Sequence, residues 1–272
     1  MEVKIFQVDS FTSEVFKGNP AGVCITESSL DEETMLAIAA EMSLSETAFL
    51  SLSTMQLRWF TPRTEVALCG HGTLATAHVL KEQGLYNTGD TIEFVTLSGV
   101  LTAQLDHEEI HLVFPAPTLD MRASINKDLL HGLGLDAANV VAYGHFDNKQ
   151  LVVINDEFVL EQLNPDFGAL RKQKGRGVVI TAQSSTDADF VSRYFAPWVG
   201  VNEDPVTGSA HCALCVYWAK ELNKKQLKGF QASKRSGVVH TELLSTEHVK
   251  LSGSAVTILR GYMRIAQRSL WE

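Results

Sequence analysis

Two apolar segments rich in small residues, each opened by glycine, constrain the fold of this chain more than anything else in it. They are Gly70 to Gln83 and Gly208 to Leu222. The first is rich in Ala and Leu and is closed by Gly84, a natural helix stop. Around each lie many short runs with strand-like patterning. Before the first come Val3 to Asp9, Gly22 to Ile25, Glu46 to Leu52 and Leu57 to Thr61; after it come Asp90 to Thr96, Val100 to Asp106 and Glu109 to Phe114. Leu30 to Met42 reads as a further helix, with Asp31, Glu32 and Glu33 in its first turn, where acids complement the helix dipole. Gly18-Asn19-Pro20 reads as a turn.

The second half repeats the order. A helix near Lys127 to Gly132 is followed by strands near Val140 to Phe146 and Leu151 to Asn155, then the second long helix. Strands return at Gly237 to Leu244, Val249 to Leu251 and Ala255 to Ala266. Sliding the chain on itself sets Gly72-Thr73 against Gly208-Ser209 and Ala77 against Ala213. Many strands with one apolar helix per half predict an α+β protein of two similar domains, each a curved, mostly antiparallel sheet or barrel around a central helix. No strand leads into G-x-G-x-x-G, so a dinucleotide-binding α/β fold is disfavoured. Pro115-Ala116-Pro117 reads as the linker. It divides the chain into 1–116 and 117–272, with the final residues free to return to the first domain.

A chain of 272 residues suits two such domains. Its formal net charge of -9 would repel a phosphate backbone or an anionic membrane surface. No apolar run approaches the length of a membrane span, and the start at Met1-Glu2-Val3-Lys4 lacks the apolar core of a signal peptide. A cytoplasmic protein without nucleic-acid or membrane partners is expected. Four cysteines give no secreted disulfide framework. Cys212-Ala213-Leu214-Cys215 lies inside an apolar helix without a second pair, so buried thiols are expected there, with His211 and His78 as packing residues.

Three constellations can carry chemistry. Glu46 sits among small and apolar neighbours in Ser45-Glu46-Thr47-Ala48-Phe49, where desolvation would make it a usable proton carrier near neutral pH. On that pentapeptide alone, a solvated strand glutamate is the ordinary reading. Leu68-Cys69-Gly70-His71-Gly72-Thr73 opens the first long helix. Its free N–H groups and glycines could cradle a carboxylate or oxyanion beside His71, or could simply cap the helix. Glu203-Asp204-Pro205-Val206-Thr207-Gly208-Ser209 opens the second. Asp204 is there either an ordinary helix-entrance acid or part of a site.

Taken together and in order, these stretches resemble the phenazine-biosynthesis PhzF family over nearly the whole chain. The resemblance runs through Val8-Asp9-Ser10-Phe11-Thr12, Gly18-Asn19-Pro20-Ala21-Gly22, Glu46-Thr47-Ala48-Phe49 and Arg58-Trp59-Phe60-Thr61-Pro62. It continues through Cys69-Gly70-His71-Gly72-Thr73, Glu203-Asp204-Pro205-Val206-Thr207-Gly208-Ser209 and Gln231-Ala232-Ser233-Lys234-Arg235. It implies a diaminopimelate-epimerase-like fold with the active site between the domains, and a homodimer. It also implies an isomerase that uses neither cofactor nor metal on a small-molecule carboxylate, the namesake substrate being trans-2,3-dihydro-3-hydroxyanthranilate. Glu46 would be the acid/base, His71 and Asp204 would assist it, and Gly70, Gly72, Gly208 and Ser209 would line the substrate site. Fold relatives that racemise amino acids use a cysteine from each half. Here Cys69 falls opposite Pro205 in the internal alignment, which leaves a hybrid of Cys69 with another base as the rival mechanism. A non-catalytic binding protein is a third reading.

Overall fold

In the computed structural model, which describes residues 2–265, the two long segments are helices. The chain opens with β1 (Glu2–Ser10) and β2 (Asn19–Thr26), then α1 (Glu32–Met42), β3 (Thr47–Ser51), β4 (Gln56–Phe60), β5 (Glu65–Val66), α2 (Gly70–Glu82), β6 (Thr91–Thr96), β7 (Gly99–Leu105) and β8 (Ile110–Pro115). It continues with α3 (Lys127–Leu133), β9 (Val140–Phe146), β10 (Lys149–Ile154), α4 (Glu157–Gln162), α5 (Phe167–Arg171), β11 (Val178–Gln183), β12 (Phe190–Ala196) and β13 (Val201–Asp204). It closes with α6 (Gly208–Glu221), β14 (Gln226–Gln231), β15 (Gly237–Leu243), β16 (His248–Gly253) and β17 (Ala255–Arg264). Ala266, the expected end of the last strand, lies outside the described residues.

These elements form two compact units. One holds the chain up to Phe16, then Pro20–Leu112, and takes the chain up again from Gly253; the other holds Lys17–Asn19 and Val113–Ser252. In the first unit, β1 pairs antiparallel with β17, β2 runs parallel to β3, and β3, β4 and β5 form an antiparallel series. α2 packs against β1, β3, β7 and β17. Nine of its residues are buried, from His71 to Leu80, and their small side chains let sheet backbone approach on every side. α1 packs on the other face of the sheet, where Met35, Ile38 and Ala39 meet Ile5, Phe49 and Phe60.

The second unit repeats the plan. α6 packs through Ala210, Ala213, Leu214 and Trp218 against Phe190, Val153 and their neighbours, while α3 to α5 cover the opposite face through Leu130, Leu160 and Leu170. Each unit is thus a curved sheet with a buried helix inside it, in line with the expected α+β class. The stretch read as a linker, Pro115-Ala116-Pro117, begins inside a strand. β8 runs through Pro115, and the Ala116 N–H donates to the Glu247 carbonyl at 2.7 Å. Proline is tolerated at a strand end because the missing N–H is not needed by the ladder there.

His211 of α6 is fully buried against Phe190, and its Nδ1 lies 2.8 Å from the Thr207 carbonyl. Burial pulls its pKa down from 6.5 to about 4. Between those values the unfolded chain binds a proton that the folded chain refuses. The stability contribution is therefore complete above pH 6.5 and is lost as pH falls towards 4. We expect denaturant unfolding to lose about 2 kcal/mol between pH 7 and pH 5 through this group. The decline should be shallower in His211→Gln; equal slopes in the two proteins would contradict the assignment.

Candidate active site

Glu46 stands immediately before β3, and its backbone carbonyl accepts from the Gly22 N–H at 3.1 Å. The β3–β4 register sets Ala48 beside Trp59, so a large ring flanks the strand two residues beyond Glu46. Trp59 is 1% exposed. It closes on the start of α2 so tightly that a Cβ on Gly72 would sit 2.9 Å from Trp59 Cδ1 and 3.0 Å from Cys69 Sγ. Glycine at 72 is what lets helix and ring meet.

The helix start is pinned by short polar contacts. Ser10 Oγ donates to the His71 carbonyl at 2.8 Å, and Thr73 Oγ1 donates to the Cys69 carbonyl at 2.7 Å. Cys69 is the N-cap residue, and its sulfur accepts from the Gly72 N–H at 3.4 Å. The result is a three-residue cluster. His71 Nε2 lies 3.4 Å from Glu46 Oε2, and Cys69 Sγ lies 3.5 Å from His71 Nδ1. Cys69 and His71 are buried, while the Glu46 side chain keeps 22% of its surface. A neutral His71 protonated on Nε2 would set that N–H near the Glu46 carboxylate while its Nδ1 accepts from the Cys69 thiol. The cluster can therefore hold a carboxylate poised for proton transfer beside leftover N–H groups of a helix N-terminus. Of the expected residues, Glu46, Gly70, His71 and Gly72 come together here, with Cys69.

Asp204, Gly208 and Ser209 lie in the second unit. Asp204 ends β13, and α6 starts at Gly208 with Thr207 as its N-cap. The helix starts thus equate Cys69 with Thr207, not with Pro205, and Gly70 with Gly208. The expected register is two residues off because α2 opens with two glycines, Gly70 and Gly72, and the hydroxyl after Gly72 favours pairing that one with Gly208; neither counterpart of Cys69 carries a thiol. Thr207 spends its hydroxyl on Asp204 Oδ2 instead of capping the helix. Asn19 Nδ2 donates to Asp204 Oδ1 at 2.9 Å and to the Val206 carbonyl at 2.7 Å. Gln231 Nε2 donates to the Asp204 carbonyl at 2.7 Å, and its Oε1 accepts from the Thr207 N–H at 2.9 Å. Asn19 and Gln231 are fully buried. They fix the Asp204 turn, a role not assigned to them from the sequence. Asn19 stands in a turn-like stretch and Gln231 in a strand that also carries Gln226 and Lys228, so neither stood out locally.

Ser209 is exposed and Gly208 half-buried. Cys212 and Cys215 are free and buried, and desolvation pushes their thiols up to about 12 and about 11 respectively. Among the described residues, no helix is long and apolar enough to cross a membrane.

The family model described as phenazine biosynthesis-like protein (PhzC-PhzF) matches residues 8–261. A Halalkalibacterium halodurans protein described as an uncharacterized isomerase is 47% identical over 263 residues, covering 96% of this chain and 98% of its own. A crystal structure of a PhzF-family phenazine biosynthesis protein from Enterococcus faecalis superposes with a TM-score of 0.90 at 38% identity, covering 97% of this chain and 100% of the other. A Pseudomonas aeruginosa structure described as a predicted epimerase, 18% identical with a TM-score of 0.75 over 97% of this chain and 100% of its own, shares the fold.

Removing the Asp204 carboxylate strands the Asn19 amide and the Thr207 hydroxyl. Asp204→Ala is expected to lower the unfolding free energy by about 2–4 kcal/mol in denaturant titrations. Ser209→Ala, at an exposed position, should stay within about 0.5 kcal/mol of the parent.

Proposed function

The chain belongs to the phenazine biosynthesis-like family and is an isomerase; from that premise we propose that it shifts a proton within a small carboxylate, with Glu46 as the acid/base. The observation that carries the reading is the pairing of Glu46 Oε2 with His71 Nε2 at 3.4 Å beside the first turn of α2. Glu46 would remove a proton from one carbon and return it to another carbon of the same allylic system. His71 would steady the carboxylate between the two transfers. Gly70, at the start of α2, would offer its N–H to the substrate carboxylate or to the charge that develops next to it, and Gly72, whose N–H the Cys69 sulfur accepts, would line the site. In the proposal Asp204 assists, Gly208 and Ser209 contribute to substrate binding, no cofactor takes part, and the protein works as a homodimer. The substrate of the family's namesake reaction, trans-2,3-dihydro-3-hydroxyanthranilate, is the first candidate.

A second reading is favoured by one contact, the 3.5 Å approach of Cys69 Sγ to His71 Nδ1. In it the thiol, not the carboxylate, carries the proton.

The test is deuterium incorporation, followed by NMR, into cyclic and amino-acid-like carboxylates incubated with the protein in heavy water. Exchange is expected with the parent and should fall at least about a thousandfold in Glu46→Gln, the scale set by loss of a general base. Exchange that survives in Glu46→Gln and disappears in Cys69→Ser would replace the glutamate by the thiol. Saturable binding of a carboxylate without exchange would mark a binding protein instead.

A further inference from the structure

The same three side chains have the composition of a transition-metal site. One oxygen of Glu46, the sulfur of Cys69 and one ring nitrogen of His71 all lie within 4.8 Å of one another. Taking Nε2 as the ring donor, the separations are 3.4 Å to Glu46 Oε2 and 3.9 Å to Cys69 Sγ. A tetrahedral zinc ion with ligand bonds near 2.0–2.3 Å requires its ligands to stand about 3.3–3.6 Å apart. The nitrogen–oxygen edge already meets that requirement; the sulfur must close by a few tenths of an ångström on the ring nitrogen and, with all three atoms within 4.8 Å, by up to about 1.5 Å on the carboxylate, movements open to rotation of the Cys69 and Glu46 side chains.

Two further features favour occupancy. Thiolate, imidazole and carboxylate together select a borderline-soft divalent ion over magnesium or calcium. A thiolate and a carboxylate would also neutralise its two charges. Beside them, Trp59 Nε1 is a buried donor with no hydrogen-bond partner among the described residues. It lies 3.2 Å from the position of a Cβ on Gly72, which itself would be 3.0 Å from Cys69 Sγ. A buried N–H without a partner beside the same helix turn is a donor that a metal-bound water or an anionic ligand there could satisfy.

We infer that Glu46, Cys69 and His71 form a three-ligand site for zinc or a similar divalent ion, with a fourth position open to water, and that its occupancy switches the protein off. Binding is a plain exchange. The Cys69 thiol loses its proton to solvent, the sulfur bonds the ion, His71 binds as neutral imidazole and Glu46 as carboxylate, with no change of oxidation state. The inhibitory consequence rests on the Glu46 reading of function, because a carboxylate bound to metal cannot accept a substrate proton. The binding itself does not depend on that reading.

Cobalt(II) is the probe, since a tetrahedral thiolate complex gives a sulfur-to-metal charge-transfer band together with intense visible bands. Titration of the reduced full-length protein with cobalt(II) is expected to produce both, saturating at one ion per chain, and zinc should displace them. The charge-transfer band should vanish in Cys69→Ser and persist in Cys212→Ser and Cys215→Ser. Glu46→Gln should weaken binding at least about tenfold. Circular dichroism confirms that each variant is folded. Absence of the bands in the parent, or their persistence in Cys69→Ser, would overturn the site. Because this readout needs no substrate, it stands or falls separately from the exchange assay.

Discussion

Everything at the candidate site depends on the burial of α2. A helix enclosed on all sides needs small residues along its length, and the run from Gly70 to Ala77 provides them. Enclosure fixes the first turn from several directions at once. Ser10 holds the His71 carbonyl, Thr73 holds the Cys69 carbonyl, and Trp59 presses on Gly72. His71 and Cys69 are then positioned by the core itself, and Glu46 is brought to them by the strand that packs beside the helix. A site built on a packed strand and a packed helix is more exact than one built on loops.

The second unit uses the same plan for a different local chemistry. Where α2 begins with a thiol and an imidazole, α6 begins with a threonine that gives its hydroxyl to Asp204. Buried amides of Asn19 and Gln231 complete that arrangement from two distant parts of the chain. Asp204 therefore carries a structural duty whatever further role it has. The two helix starts show how a repeated architecture can diverge while its packing is kept: the core residues stay small and apolar, and only the first turn changes character.

Periodicity is a local signal, and what it controls was legible. The buried helices, most strands, the apolar setting of Cys212 and Cys215 and the acids Glu32 and Glu33 in the first turn of α1 all follow from residue spacing. Glu46 and His71 stood out by motif resemblance, although nothing local to either reveals that they touch. Three features escaped. The offset between the two helices was misread, because two glycines two residues apart, Gly70 and Gly72, can each be set against Gly208. Pro115 belongs to a strand, because a ladder end does not need its N–H. The grip of Asn19 and Gln231 on the Asp204 turn, like the contact of Trp59 with Gly72, is a matter of long-range satisfaction and packing, which leaves no periodic trace in one chain.

The central claim is that Glu46 and His71 form one coupled unit. Nitrogen-15 NMR of protein labelled in its nine histidines tests it directly, with His71 assigned by the signal lost in His71→Gln. The coupled account predicts that Glu46→Gln moves the His71 ring-nitrogen resonances while leaving the buried His211 signals in place. His71 signals unchanged by loss of the Glu46 charge would contradict it.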